Sequence, residues 1–159
     1  MKTKGHPLLR YPEIAHKAYL QKRYAALAAI MEAWSDEAIR EGKGITYPAC
    51  VHMSHTYRGL IALERGDVTT AKLELLKSAK VPKSPVLWSF GPNMELAKAL
   101  LEKGQRKTVL RFLEMIKKFW FAPLRVFMSW GWKKTILAGG IPNFKGNLMY
   151  HKGGVNKAR

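Results

Sequence analysis

Acidic residues and cysteine are both scarce in this sequence. The 159 residues include 11 Asp and Glu against 28 Lys and Arg, which gives a formal charge of +17 at pH 7. The one cysteine, Cys50, excludes an internal disulfide and a cysteine-rich zinc site, and it suits a reducing compartment. Because so large a charge of one sign repels itself, the composition predicts an anionic partner.

Long apolar runs are also missing. The most apolar stretch, residues 119–132, is interrupted by Pro123 and Arg125 and falls short of the roughly 20 residues that a transmembrane helix needs. The N-terminus has lysines followed by Pro7 and Pro12 instead of an apolar segment, so it does not resemble a secretory signal. We therefore expect a cytoplasmic protein, either bound in a large complex or peripheral to a membrane.

What the sequence does contain is helical periodicity. Apolar residues make up 47% of the chain, which is enough for a hydrophobic core. Between Pro12 and Glu41 there is no internal Gly or Pro, and apolar residues recur at spacings of four and three. These residues are Leu20, Tyr24, Leu27, Met31, Trp34 and Ala38. The pattern predicts one helix of about 30 residues, with Pro12 in its first turn and Gly42 just beyond its end.

The rest of the chain predicts further helices separated by Gly and Pro. Asp67 is placed to cap one of them by accepting hydrogen bonds from its first amides. The predicted helices span residues 48–65, 68–80, 93–103, 105–120 and 123–138, and residues 81–92 are predicted to be an extended connector. We expect an all-α fold of about six helices, with a basic N-terminal arm (1–11), a helical-repeat domain (12–140) and an irregular basic C-terminal tail (141–159).

The two helices predicted over residues 48–65 and 68–80 resemble a tetratricopeptide repeat. That repeat uses small residues where its two helices cross, and here Gly59 and Ala71 lie twelve residues apart, with Pro82 as terminator. His55 stands where the repeat favours an aromatic residue. The resemblance implies antiparallel helix hairpins.

Two further motifs point the same way. The first contains Ser89-Phe90-Gly91-Pro92-Asn93-Met94 and continues through residues 96–98 and 100–104; the second runs from Trp132 through Gly139, Ile141-Pro142 and Phe144 to Asn147-Leu148. Together they resemble motifs of uncharacterised bacterial proteins with tetratricopeptide-like helices, over residues 47–150. That group is less basic than this chain, and the resemblance implies a fold without carrying an activity to any residue.

The positive charge is concentrated near the C-terminus. Residues 105–159 hold 12 basic residues and 1 acidic residue, interleaved with aromatics between residues 117 and 134. We expect most of these aromatics to fill the core, because amphipathic spacing accounts for them, and the cations to face an anionic environment. The predicted partner-binding residues are Lys107, Arg111, Lys117, Lys118, Arg125, Lys133, Lys134, Lys145 and Lys152.

This pattern favours a non-enzymatic interaction or scaffold subunit that docks on an acidic protein assembly or a ribonucleoprotein. Contact with an RNA or DNA backbone is one form of that hypothesis, because cations pair with phosphates and aromatics stack on unpaired bases. The alternative is a peripheral membrane protein that lays residues 119–134 on an anionic leaflet.

Catalytic and metal-binding groups do not form a recognisable pattern. His52 and His55 lie three residues apart on a predicted helix near Cys50, but no further cluster supplies a third and a fourth metal ligand. Ser54 lacks the glycine turn that presents a nucleophilic hydroxyl. We expect no enzyme, no metal, no cofactor and no small-molecule substrate, whereas a pocket with perturbed titratable groups beside these histidines would favour an enzyme.

Overall fold

The computed structural model describes residues 7–120 and 123–148, and the side chains of 10–120 and 125–148. These residues form eight α-helices and no strand, which confirms the all-α fold for the part described. None of the described helices is both long enough and apolar enough to cross a bilayer. The helices are α1 (Pro7–Leu20), α2 (Tyr24–Arg40), α3 (Tyr47–Glu64), α4 (Val68–Ser78), α5 (Pro85–Phe90), α6 (Glu95–Glu102), α7 (Arg106–Ile116) and α8 (Pro123–Leu137), followed by a 3₁₀ helix (Lys145–Leu148).

The single long helix predicted at the start of the chain is wrong, because two helices, α1 and α2, occupy that region. Lys22 adopts a left-handed φ of 55°, and its N–H donates to the Tyr19 carbonyl at 2.9 Å. The next amide, Arg23, donates to Ala18 at 2.9 Å, so both bonds of a Schellman motif end α1. The left-handed residue is a lysine, whereas Gly42 and three other glycines mark the same motif after α2, α3, α6 and α8.

The break lets α1 fold back on α2. The Tyr11 ring stacks on the Trp34 ring with centroids 6.0 Å apart, and the Tyr11 hydroxyl donates to Glu37 Oε2 at 2.6 Å. Of the predicted apolar face, Leu27, Met31, Trp34 and Ala38 are buried, whereas Leu20 at the end of α1 is 66% exposed. Helix α1 begins at Pro7, within the range assigned to an arm, and Pro12 lies in its interior.

The predicted connector over residues 81–92 also contains a helix. The Ser84 hydroxyl accepts a hydrogen bond from the Leu87 amide at 3.2 Å, and Pro85 follows in the first helical turn. This serine–proline pair starts α5 by ordinary N-capping. With α1 and α2 separate and α5 added, the described helices number eight instead of about six.

Helices α3 and α4 form the centre of the fold. The predicted cap is confirmed, since Asp67 Oδ1 accepts from the Thr70 amide at 2.9 Å at the start of α4. Helix α3 packs against α2, α4 and α6, and α4 packs against α6 and α7. Ala71 is fully buried. Gly59, which the tetratricopeptide pattern places where α3 and α4 cross, faces Leu96 of α6 instead.

The two motifs noted in the sequence meet in space. Asn147, from the 3₁₀ helix, is buried, and its Nδ2 donates to the carbonyls of Phe90 at 3.3 Å and Pro92 at 3.0 Å. The Met94 amide donates back to the Asn147 carbonyl at 3.1 Å. The first part of the predicted irregular tail, residues 141–148, is therefore fastened to the turn at residues 91–93, which we call the central turn.

The other side of the central turn is held by His52 of α3. Its Nδ1 lies 2.8 Å from the Ser78 carbonyl, and its Nε2 accepts from the Asn93 amide at 2.9 Å. A carbonyl requires a proton on Nδ1 and an amide donor requires a bare Nε2, so the hydrogen bonds define a neutral ring. His52 is fully buried and ties α3, the end of α4 and the central turn together.

Glycine at position 59 permits the close approach of α3 to α6, which gives a first testable expectation. A Cβ at Gly59 would overlap Leu96 Cδ2 and lie 3.0 Å from Cδ1 of that fully buried side chain. Gly59→Ala should lower the free energy of unfolding by about 1–3 kcal/mol, less any gain in helix propensity. Urea denaturation measures the change.

Gly131→Ala in α8 is the matched control, because a Cβ there meets no atom within 4 Å. It should raise stability by about 0.5–1 kcal/mol, the usual gain of alanine over glycine inside a helix. Equal stabilisation by the two substitutions would show that the packing of α3 on α6 does not require glycine at position 59.

Candidate docking surface

Helix α7 exposes a row of cations because its opposite side belongs to the core. Val109, Phe112, Leu113 and Ile116 are buried on one side, as the periodicity predicts. The exposed side carries Lys107 and Arg111, and the exposed Lys118 follows two residues after the helix ends; we call these three predicted partner-binding residues the α7 row. Within the described part of the chain, no ion pair joins any of the three to an acidic group.

Two other predicted cations share the single acidic residue of this region. Glu114 accepts from Lys117 at 2.6 Å and from Lys133 of α8 at 3.0 Å. These hydrogen bonds, with that from Lys117 the larger, hold the pKa of Glu114 below its usual range. The positive charges of Lys117 and Lys133 are therefore partly balanced by Glu114. Among the described residues, the three cations of the α7 row have no acidic partner of this kind.

Arg125 is engaged with the protein's own backbone. Its guanidinium lies over the Trp88 ring, 4.6 Å from the centroid, and donates to the Trp88 and Ser89 carbonyls, the latter at 3.1 Å. These carbonyls belong to the last turn of α5, where intrahelical partners are lacking. Arg125 thus positions α8 against α5, and two of its five N–H donors are used for this contact.

The aromatic residues of the C-terminal region divide into two sets. Phe119, Trp120 and Trp132 are buried, at 0%, 5% and 6% exposure, as predicted for core aromatics. Trp130 and Phe127, at 63% and 71% exposure, face outward. Sequence contains the signal for this division, because two residues two positions apart on a helix, such as 130 and 132, point in nearly opposite directions.

The outward side of α8 therefore carries an apolar surface that we call the α8 stripe. It consists of Val126, Phe127, Trp130 and Leu137, which are 38–71% exposed. The inward side of the same helix is buried through Ser129, Trp132 and Ile136. Sequence reasoning placed the function in the cations and missed the aliphatic members of this stripe.

The α7 row and the α8 stripe adjoin. Lys133 bridges from α8 to Glu114 of α7, which lies between Arg111 and Lys118 in the sequence. Lys134 lies over the Trp130 ring, 5.7 Å from its centroid. Cations and exposed apolar side chains thus form one continuous face. Of the other predicted cations, Lys145 is exposed beside the 3₁₀ helix, and Lys152 lies outside the described residues, as does Phe121.

The two histidines differ in surroundings. Both ring nitrogens of His52 are occupied by backbone groups, whereas His55 Nδ1 pairs with Glu74 Oε2 at 2.7 Å, and Glu74 also accepts from Lys77 at 2.8 Å. Burial alone would raise the pKa of Glu74, but the hydrogen bonds from Lys77 and His55 outweigh it and lower the pKa. Among the described residues, no group of three or more His, Cys, Asp or Glu side chains is placed to hold a metal ion.

A groove of about 500 Å³ lies between α2 and α3, and His55, Ser54 and Cys50 contribute to its lining. Burial raises the pKa of the Cys50 thiol to about 12, and the thiol donates to the Met31 carbonyl at 3.6 Å. A thiol with such a pKa stays protonated and is a poor nucleophile. No hydrogen bond within the described residues joins Ser54 to His55, so these contacts supply no activated nucleophile.

The Glu74 contacts give a pH-dependent expectation. Because the pKa of Glu74 is lower in the folded state, its stabilisation is present above the ordinary carboxyl pKa of about 4.3 and is lost as pH falls through the folded-state value. Glu74→Gln should cost about 1–2 kcal/mol at pH 7 and remove that part of the acid sensitivity.

Urea denaturation of both proteins at pH 7 and at pH 3 measures the effect, with the exposed Glu102→Gln as control. The stability difference between wild type and Glu74→Gln should shrink at pH 3. A difference that stays constant with pH would contradict the pairing.

Comparison of the chain with protein-family models, with curated proteins and with solved structures found no match in any of the three.

Proposed function

We propose that this chain is a non-enzymatic interaction or scaffold subunit, in which a tetratricopeptide-like stack of helices presents a basic, aromatic-rich C-terminal face to an anionic partner. The partner is an acidic protein assembly or a ribonucleoprotein in the cytoplasm. The observation that carries the proposal is the α7 row: three exposed cations that no described acidic residue neutralises, beside the exposed α8 stripe.

Electrostatics supports this reading over a merely solvated surface. Glu114 pairs with two lysines, and Glu74 pairs with Lys77 and His55. Residues 105–159 contain one acidic residue, and among the described cations of this segment only Lys117 and Lys133 form an ion pair with an acidic group. An anionic body against this face lowers the repulsion that a formal charge of +17 creates.

The buried polar groups also support a structural protein over an enzyme. His52 uses both nitrogens to hold the backbone, and the Cys50 thiol is kept protonated by burial. Each of these groups acts on the fold instead of facing a substrate.

A second candidate function is peripheral attachment to an anionic membrane. It is supported by Phe127 and Trp130, which are exposed on α8 next to Lys133 and Lys134. Flotation with vesicles of phosphatidylcholine and phosphatidylserine at physiological salt tests it, and the absence of bound protein would exclude it.

The proposed function is tested by neutralising the α7 row in the full chain. Lys107→Gln, Arg111→Gln and Lys118→Gln together should reduce co-purification of the native partner about tenfold or more, because each exposed cation contributes up to roughly 1 kcal/mol. Affinity purification at low and high salt, with and without nuclease, measures this loss and separates a ribonucleoprotein from an acidic protein.

The matched control removes the same charge elsewhere, through Lys17→Gln, Arg40→Gln and Lys80→Gln, which alter exposed residues of the first half of the chain. The control should retain the partner. If both triple variants bind equally well, or if raised salt releases nothing, the proposal is wrong.

A further inference from the structure

Helix α8 is apolar on two opposite sides. Its inner side is covered by the protein, with Ile136 fully buried and Trp132 6% exposed, while the members of the α8 stripe remain uncovered on the outer side. An exposed apolar patch rimmed by polar residues is typical of an interaction site. The outer side therefore has the character of a surface that another body covers.

The geometry of the stripe limits the shape of that body. At about 100° per residue, Val126, Trp130 and Leu137 fall within an arc of roughly 40°, and they span about 16 Å along the helix. Lys133 and Lys134 lie on either side of this line. The line of these three side chains has a lysine on each flank, and with Phe127, about 60° beyond Trp130, the exposed apolar surface spans roughly 100°. Helix α8 contains no Asp or Glu.

We propose that the α8 stripe seats in an apolar groove with acidic rims on a partner protein. This inference rests on the proposed function and names its partner class as a protein. Trp130 and Phe127 fill the groove floor, and Lys134 meets carboxylates on one rim. Lys133, whose ammonium keeps further N–H donors beside its contact with Glu114, meets carboxylates on the other. An amphipathic helix in a groove uses anchors at such helical spacings.

Charge argues against a second copy of this chain as the occupant. Residues 105–159 of each copy carry 12 basic residues and 1 acidic residue, so two copies meeting through this face would repel each other. The complementary surface has to carry the opposite sign.

The composition of the stripe argues against nucleic acid. Aromatic rings stack on unpaired bases, but the aliphatic Val126 and Leu137, which lie in line with Trp130, gain nothing from stacking. Both gain from burial in an apolar groove.

The position of the lysines argues against a bilayer. An interfacial helix keeps its cations on the side opposite its apolar face. Here the Lys134 ammonium lies over the Trp130 ring, within the apolar arc that extends to Phe127. Trp132, the third aromatic residue of α8, is already buried in the core.

Site-specific photo-crosslinking tests the inference in the full chain. Benzoylphenylalanine replaces Phe127 or Leu137, and in a control it replaces Leu73 of α4, which is 54% exposed. The first two positions should crosslink to one and the same segment of a single protein, and that segment should combine apolar residues with Asp or Glu. The Leu73 position should not label this segment.

The partner is then purified, and its affinity is measured for the wild-type chain, for the double variant Phe127→Ala, Trp130→Ala and for the control Leu73→Ala. Aromatic anchors at the centre of an interface carry much of its binding energy, so the double variant should bind about 100-fold more weakly and the control unchanged. Unchanged binding by the double variant, or crosslinks to RNA or lipid from Phe127 and Leu137, would overturn the inference.

The two proposals fail in different ways. If neutralising the α7 row releases the partner and the Phe127→Ala, Trp130→Ala variant still binds it normally, the inference of a groove is wrong and the proposed docking function stands. If neither set of substitutions weakens binding, both are wrong.

Discussion

The central turn at residues 91–93 is held between two buried polar side chains, and the arrangement of the C-terminal half depends on it. On one side, His52 accepts a hydrogen bond from the Asn93 amide. On the other side, Asn147 donates hydrogen bonds to the Phe90 and Pro92 carbonyls. In a low-dielectric interior such bonds are costly to break, because each lost partner leaves a buried polar group unsatisfied. The turn therefore joins α3 and α4 to the segment that closes the fold.

The aromatic core beneath helix α8 packs on the central turn. Trp120 packs on Gly91 and stacks on Trp132 with centroids 5.5 Å apart, and Trp132 meets Phe144 edge-on at 5.0 Å. Trp132 is on the inner side of α8, so this stack supports the helix whose outer side carries the α8 stripe. The position of the α8 stripe is thus linked to the backbone of the central turn through a continuous set of packed rings.

Sequence predicted those helices whose ends are marked by local chemistry. Asp67 capped α4 as expected and Gly104 separated α6 from α7, whereas the end of α1 was hidden because Lys22 adopts the left-handed conformation that glycine usually takes. For the candidate site, counting charges shows that the basic residues are concentrated after residue 105. It did not reveal which cations are available, because Glu114 meets Lys133 only through the packing of α7 on α8, a contact between residues 19 apart.

The most direct test of this account is the free energy of unfolding of Gly91→Ala compared with that of Gly66→Ala, both from urea denaturation. Both glycines have positive φ values, 75° and 79°, but Gly91 also has a ψ of −171°, in a region that is essentially restricted to glycine, so its substitution carries the larger backbone cost. A Cβ at Gly91 would also lie 2.6 Å from Trp120 Cε2, whereas one at Gly66 meets nothing within 4 Å. The account predicts a further loss of about 1–3 kcal/mol for Gly91→Ala, and equal losses for the two variants would contradict it.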